Sequence, residues 1–382
     1  MAYYNRGVSY RAKGQLDRAI ADYDQAIRIN PKYAFAYNNR GDAYDAKGQY
    51  DRAIADYDQA IRINPKYAFA YNNRGNAYKR KGQYDRAIAD YDQAIRINPQ
   101  YALAYNNRGN AYNAKGQYDR AIADYDQAIR LDPKDDRPFN SRGLAYGAKG
   151  QYDRAIADYD QAIRLDPQYA GYYSNRGDAY RAKGQYDRAI ADYDQAIRLD
   201  PKSAAYYNSR CWARATAGRD LEMALADCSE ALRLKPSDAN TLDSRGFVHF
   251  RLGQPKKAIA DLTAALAIAP KKPHSHYVRG LAKLKSGDTV GGNADIAAAK
   301  AIKPDIADEY ARYGVKPPDV TAMKEATAKP TAPAASDCTQ AGAHWKSAEE
   351  IKTIEVYEDH LKRFAGCSFA TLARARIKFL KK

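Results

Sequence analysis

Asparagine recurs in this chain where an amide could recognise another chain. It stands directly before an arginine at Asn5, Asn39, Asn73, Asn107 and Asn175, and one residue earlier at Asn38, Asn72, Asn106, Asn140 and Asn208. A primary amide carries two donors and an acceptor, so a spaced row can hydrogen-bond the main chain of an extended peptide without reading its side chains. Ser141, Ser209, Ser244 and Val278 interrupt the row. Polar residues nearby vary: Asp42 and Asp45, then Asn76, Lys79 and Arg80, then Asn110 and Asn113, then Asp178 and Arg181. Mixed charge of this kind points to a polar protein segment, whereas a polyanion would favour a uniform basic stripe. The plainer reading is a solvated row, each amide adding only about 1 kcal/mol to any ligand.

Arginine follows in all nine places: Arg6, Arg40, Arg74, Arg108, Arg142, Arg176, Arg210, Arg245 and Arg279. An aspartate sixteen or, once, seventeen residues later is as regular: Asp22, Asp56, Asp90, Asp124, Asp158, Asp192, Asp227, Asp261 and Asp295. A partly buried guanidinium needs a carboxylate, so this spacing predicts an ion pair within each unit or between neighbours. Arg40–Asp56, Arg74–Asp90 and Arg108–Asp124 exemplify it. The functional alternative is a basic ladder reading acidic ligands.

Catalysis has no foothold. No phosphate-cradling loop, zinc-protease helix, nucleophile elbow or dinucleotide fingerprint is present. A reaction centre needs unlike groups converging at one place, and this chain offers the same groups repeatedly. The expectation is a non-enzyme without cofactor or metal. Cys338, His344, His360 and Cys367 are the one set that could take zinc, but their spacings are loose. A Cys338–Cys367 disulfide in an oxidising compartment and free thiols are the other readings.

These residues sit on a strict frame. Asp51-Arg-Ala-Ile-Ala-Asp-Tyr-Asp-Gln-Ala-Ile-Arg62 recurs verbatim from Asp17, Asp85, Asp119, Asp153 and Asp187, always 34 residues apart. A fixed period of that size marks helical hairpins, each too small to bury its own apolar face and stable only when stacked. In the second copy one helix is expected over roughly Ala36 to Lys47, stopped by Gly48, and another from about Asp51 to Ile63, ended before Pro65. Gly41, Ala53 and Ala60 let the helices approach, and Tyr37, Tyr44, Tyr57 and Ile61 fill the space between units. Most of the 34 tyrosines fall at such places and read as packing. The seventh copy departs: Cys211 takes the glycine place, Cys228 the second tyrosine place and Arg214 the first. The two cysteines read as buried small apolar residues rather than a reactive pair.

Ala36, Tyr37, Gly41, Tyr44, Gly48, Ala53, Tyr57, Ala60 and Pro65, with their period, resemble the tetratricopeptide repeat family. The resemblance implies an all-α, right-handed superhelical solenoid of nine helix-turn-helix units whose first helices line a concave groove for extended peptides or partner proteins. The asparagine row also resembles the asparagine ladder of the O-linked N-acetylglucosamine transferase superhelix. By that match Asn5, Asn39, Asn73, Asn107 and Asn175 contact peptide main chain, with Asn38, Asn72, Asn106, Asp42, Asn76 and Asn110 beside them. The arginine before each glycine departs from the family's usual leucine.

Four segments are expected: repeats over 1–304, a capping helix over 305–314 started by Asp305, a flexible linker over 315–337, and a helical hairpin over 338–382. In the last, Ser347 with Glu350 forms a capping box, Ile351, Ile354, Tyr357, Leu361 and Phe364 form an apolar stripe, and a second helix covers Phe369 to Leu380. This hairpin is similar to short C-terminal ones in bacterial repeat proteins and caspase-like proteins. Gly291-Gly292 should make the second helix of the ninth copy the least stable.

The net charge of +16 is spread out, with acid and base balanced in several copies and a basic excess from 239 to 304. No segment has the apolar length of a membrane span, and the start lacks the regions of a signal peptide. The chain as given reads as a cytoplasmic monomer. Met1 falls at the second position of the first repeat, so a truncated start with a periplasmic location is the alternative. The expected role is a scaffold binding a protein or peptide in the groove, with no nucleic acid. A nucleic-acid-binding solenoid and a regulatory module of an enzyme complex are the alternatives.

Overall fold

The computed structural model describes residues 1–315, 345, 349, 353–364 and 369–380. The expected linker over 315–337 apart from Val315, the capping box, Ile351 and the Cys338–Cys367 pair lie outside them. Every regular element among the described residues is helical. Contacts divide the chain into two compact units, Met1–Val278 and Arg279–Lys382.

In the first unit short helices alternate strictly: α1 Ala2–Ala12, α2 Leu16–Ile29, α3 Ala34–Ala46, α4 Tyr50–Ile63, α5 Ala68–Arg80, α6 Tyr84–Ile97, α7 Ala102–Ala114, α8 Tyr118–Leu131 and α9 Asp136–Ala148. They continue with α10 Tyr152–Leu165, α11 Ala170–Ala182, α12 Tyr186–Leu199, α13 Ala204–Ala217, α14 Leu221–Leu234, α15 Ala239–Arg251 and α16 Pro255–Ile268, and α17, Pro273–Lys285, spans the boundary at Val278. The first helix of each pair begins two residues before the expected Ala36, because Ala34 and Phe35 are compatible with the helix as soon as the Pro65-type turn is complete. Gly48 stops it at φ +73°, where the Gln49 N–H reaches back to the Tyr44 carbonyl at 2.9 Å. At the far end of α4 the Asn64 side chain accepts from the Lys66 N–H at 3.1 Å, making the turn that Pro65 begins.

Within a pair the helices touch through glycine and tyrosine. A methyl added to Gly41 would lie 2.7 Å from Cε1 of Tyr57, whose ring is 1% exposed. Between pairs, Ala34, Ala60, Ile61 and Ala70 bury one seam with Tyr37, Ile63 and Tyr71 against it. From α1 to α15 each first helix also touches the next first helix, whereas no second helix of the unit contacts another second helix among the described residues. Neighbours are therefore closer on the first-helix side, and that side is the inside of the curve.

The seventh pair corrects the sequence reading. Cys211 and Cys228, expected as unlinked buried residues, are joined by a disulfide with Cα atoms 5.5 Å apart. The reason is positional: they replace the glycine and tyrosine that touch in the six preceding pairs, so two short side chains there fall within bonding reach.

In the second unit, α18 Thr289–Ile302 tolerates its glycines through packing. A methyl on Gly292 would lie 2.7 Å from Leu284 Cγ and 2.9 Å from the Gly280 carbonyl oxygen, so this place admits nothing larger. The short α19, Ile306–Arg312, buries Ile306 and Tyr310, but Asp305 makes no side-chain capping bond, contrary to expectation. Helices α20 Ile354–Phe364 and α21 Phe369–Leu380 pair around Tyr357 and Ala373, with Trp345, Val356, Leu361 and Ile377 against them. The Tyr357 hydroxyl donates to Glu349, which Arg376 also grips.

Candidate peptide groove

The first helices present their polar side chains on the inner face, held from beneath by the ion pairs. Arg40 donates Nε and Nη2 to Asp56 at 2.8 and 2.6 Å, and Nη1 to Asp24 of the preceding pair at 2.5 Å. Arg74 does the same with Asp90 and Asp58, and Arg108 with Asp124 and Asp92. One guanidinium thus closes its own hairpin and ties it to its neighbour. Burial pushes the Asp56, Asp90 and Asp124 carboxyls up against the opposing pull of their arginines. At the more open first pair the Arg6 hydrogen bond prevails and holds Asp22 below its ordinary value. These pairs are committed to structure rather than offered as a basic ladder.

The asparagines are also joined to one another. Asn39 Nδ2 donates to the Tyr4 hydroxyl at 2.9 Å. Asn73 Nδ2 donates to Asn38 Oδ1 at 3.2 Å and to Asp42 Oδ1 at 3.0 Å. Asn107 reaches Asn72 at 2.9 Å and Asn175 reaches Asn140 at 2.8 Å. Asn73, Asn107 and Asn175 therefore each grip the asparagine two residues before the glycine-preceding arginine of the pair before, and Asn39 grips Tyr4 at that same place. Asn38, Asn72 and Asn106 are buried, while Asn5 at the start is exposed. Asp42, Asn76 and Asn110 each accept the hydroxyl of a core tyrosine, Tyr57, Tyr91 and Tyr125, at 2.8–2.9 Å. Asp42 also takes Arg11, and burial pushes its carboxyl up.

An aromatic row beside the amides went unread in the sequence. Ring centroids step from Tyr4 to Tyr33 at 4.9 Å, to Phe35 at 6.0 Å, to Tyr67 at 5.0 Å, to Phe69 at 6.2 Å and to Tyr101 at 4.9 Å. Phe35 is 48% and Phe69 52% exposed, a large apolar surface left in water. It borders a cleft of about 630 Å³ lined by Asn38, Asn39, Asp42 and Asn73. The signal was available: Phe35 and Phe69 share a repeat position, as do Tyr33, Tyr67 and Tyr101, each before an alanine that starts a helix.

Regular helix pairs stacked in one direction, with their first helices inside, define a helical-repeat solenoid. A family model described as TPR repeat matches residues 7–48, 41–82, 75–114 and 109–150. Models described as tetratricopeptide repeat match 140–204, 174–239 and 211–283. The chain belongs to the tetratricopeptide repeat family, and its fold is that of a protein–protein interaction scaffold. A tetratricopeptide repeat protein from Parabacteroides merdae is similar over 65% of this chain and 97% of its own, at 22% identity and a TM-score of 0.52. A chain of the APC/C hetero-tetramer Cut9–Hcn1 is similar over 76% of this chain and 57% of its own, at 17% identity and a TM-score of 0.55. Comparison with curated protein sequences gives no match. No helix among the described residues is long and apolar enough to cross a membrane.

Proposed function

We propose that the inner face binds an extended segment of a partner protein, with apolar side chains against Phe35 and Phe69 and main chain over the polar row. The exposed aromatic steps carry this reading, because rigid rings beside hydrogen-bonding amides suit a peptide that presents side chain and backbone alternately. Asn38, Asn39, Asn73 and Asn98 line the cleft beside those rings and are the amides within it.

The test is affinity capture from source-cell lysate with the wild type and with Phe35→Ser/Phe69→Ser, each with and without nuclease. Proteins held by the wild type, lost by the double variant and indifferent to nuclease support the groove, provided the two chains melt alike. Equal retention by both would discard it. Loss on nuclease treatment would favour the nucleic-acid reading instead.

A further inference from the structure

The amide row is closed where asparagine follows asparagine and opens where serine intervenes. Asn38 and Asn72 have their carbonyls taken by Asn73 and Asn107 of the next pair. At the following step Ser141 stands where the donor should be, and Asn106 Oδ1, on a residue 5% exposed, has no hydrogen-bond partner among the described residues. The same exchange recurs further along. Ser244 replaces the donor, its hydroxyl bonds back to the Asn240 carbonyl at 3.0 Å, and Asn208 Oδ1 is left without a partner. A buried amide oxygen without a donor is costly and rare; among the described residues the asparagine cases are Asn106, Asn208 and Asn113, and the first two fall at the serine steps.

Asn106 lines a cleft of about 540 Å³ together with Asn140, Ser141, Asp166 and Tyr169. Turned about its last torsion, the amide would present that oxygen to the cleft. The walls are acidic. Asp136 and Asp166 line the cleft, and the guanidinium of Arg137, also lining it, is held by both oxygens of Asp135 at 2.8 Å. Tyr169 is 54% exposed beside them, offering a ring face to an alkyl stem or a cation.

We infer that the Ser141 step is a binding subsite for a basic extended peptide, with a main-chain N–H donated to Asn106 and a lysine or arginine side chain set between Asp166 and Tyr169. The inference rests on the groove reading and locates its ligand at the interruption of the amide row rather than along the row itself.

Ser141→Asn tests it, because the new side chain would supply Asn106 with the donor that Asn107 gives Asn72. The probe is a fluorescein-labelled peptide alternating lysine and alanine, followed by anisotropy against a glutamate–alanine counterpart. The wild type should bind the basic peptide and not the acidic one. Ser141→Asn should weaken binding by about tenfold without lowering the melting temperature. Asp166→Asn keeps the turn acceptor but removes the charge, and should weaken binding and flatten its salt dependence. Unchanged affinity in Ser141→Asn, equal affinity for the acidic peptide, or no binding of the basic peptide would each overturn the inference. If Ser141→Asn is silent while Phe35→Ser/Phe69→Ser loses its clients, the subsite fails and the groove stands. If the reverse is seen, the subsite stands and the aromatic row fails.

Discussion

The regular arginine is where single side chains matter most. Arg74 serves two carboxylates at once, and Asp90 is only 6% exposed, so truncating the arginine strands buried charge. Arg74→Ala should cost about 3 kcal/mol in denaturant unfolding, whereas Arg74→Met with Asp90→Leu should cost far less. Equal losses in the single and double variants would mean that the pair itself, and not the orphaned acid, supplies the stability. Glycine is as demanding. A methyl on Gly75 would meet Tyr91 Cε1 at 2.7 Å, so Gly75→Ala should destabilise by about 1–3 kcal/mol despite its better helix propensity. A neutral Gly75→Ala would mean that the ring shifts freely and that the contact is loose.

At the scale of the element, the seventh hairpin replaces an aromatic contact with a covalent one. Reducing Cys211–Cys228, a link across 17 residues, should remove about 3 kcal/mol of local stability. Hydrogen exchange in α13 and α14 should quicken on reduction while α5 and α6 stay protected, and uniform exchange would show that the link is idle. The link shows what the sequence conceals. Period, caps and the sixteen-residue Arg–Asp spacing reveal the hairpins, since all are local to one copy. Cys211 and Cys228 read as packing residues rather than a bonded pair, although their copies elsewhere, Gly41 and Tyr57, mark two places in contact. Asp24 as second partner of Arg40, and Asn38 as acceptor for Asn73, depend on how copies stack, which a single repeat does not encode. The amides therefore looked available to a ligand when most of them hold each other. The aromatic row escaped for the same reason, as Phe35 and Tyr67 meet only across a junction.

Taken as a whole, the molecule buries a phenol in each of its first six hairpins. Burial pushes Tyr57, Tyr91, Tyr125, Tyr159 and Tyr193 well up, and Tyr23 up to about 12. The folded chain therefore keeps these protons at a pH where the unfolded chain, with tyrosines near 10, has lost them. Stability is fully present below about pH 10 and falls as pH rises above it, by about 1.4 kcal/mol per pH unit for each such phenol. Helical circular dichroism should collapse in alkali together with a rise in tyrosinate absorbance. Tyrosinate forming near pH 10 at the full amplitude of all 34 phenols with the helices intact would contradict the burial.

The guanidinium bridges reach only from one copy to the next, and internal junctions such as Asp24–Arg40 and Asp58–Arg74 are chemically alike. Unequal recombination that dropped or duplicated one copy would thus break no bond and expose no new surface. What would change is the distance between the steps at Asn106 and Asn208. The chain is in that sense a ruler with two marks, and a gene could alter the gauge between them without disturbing the material of which it is made.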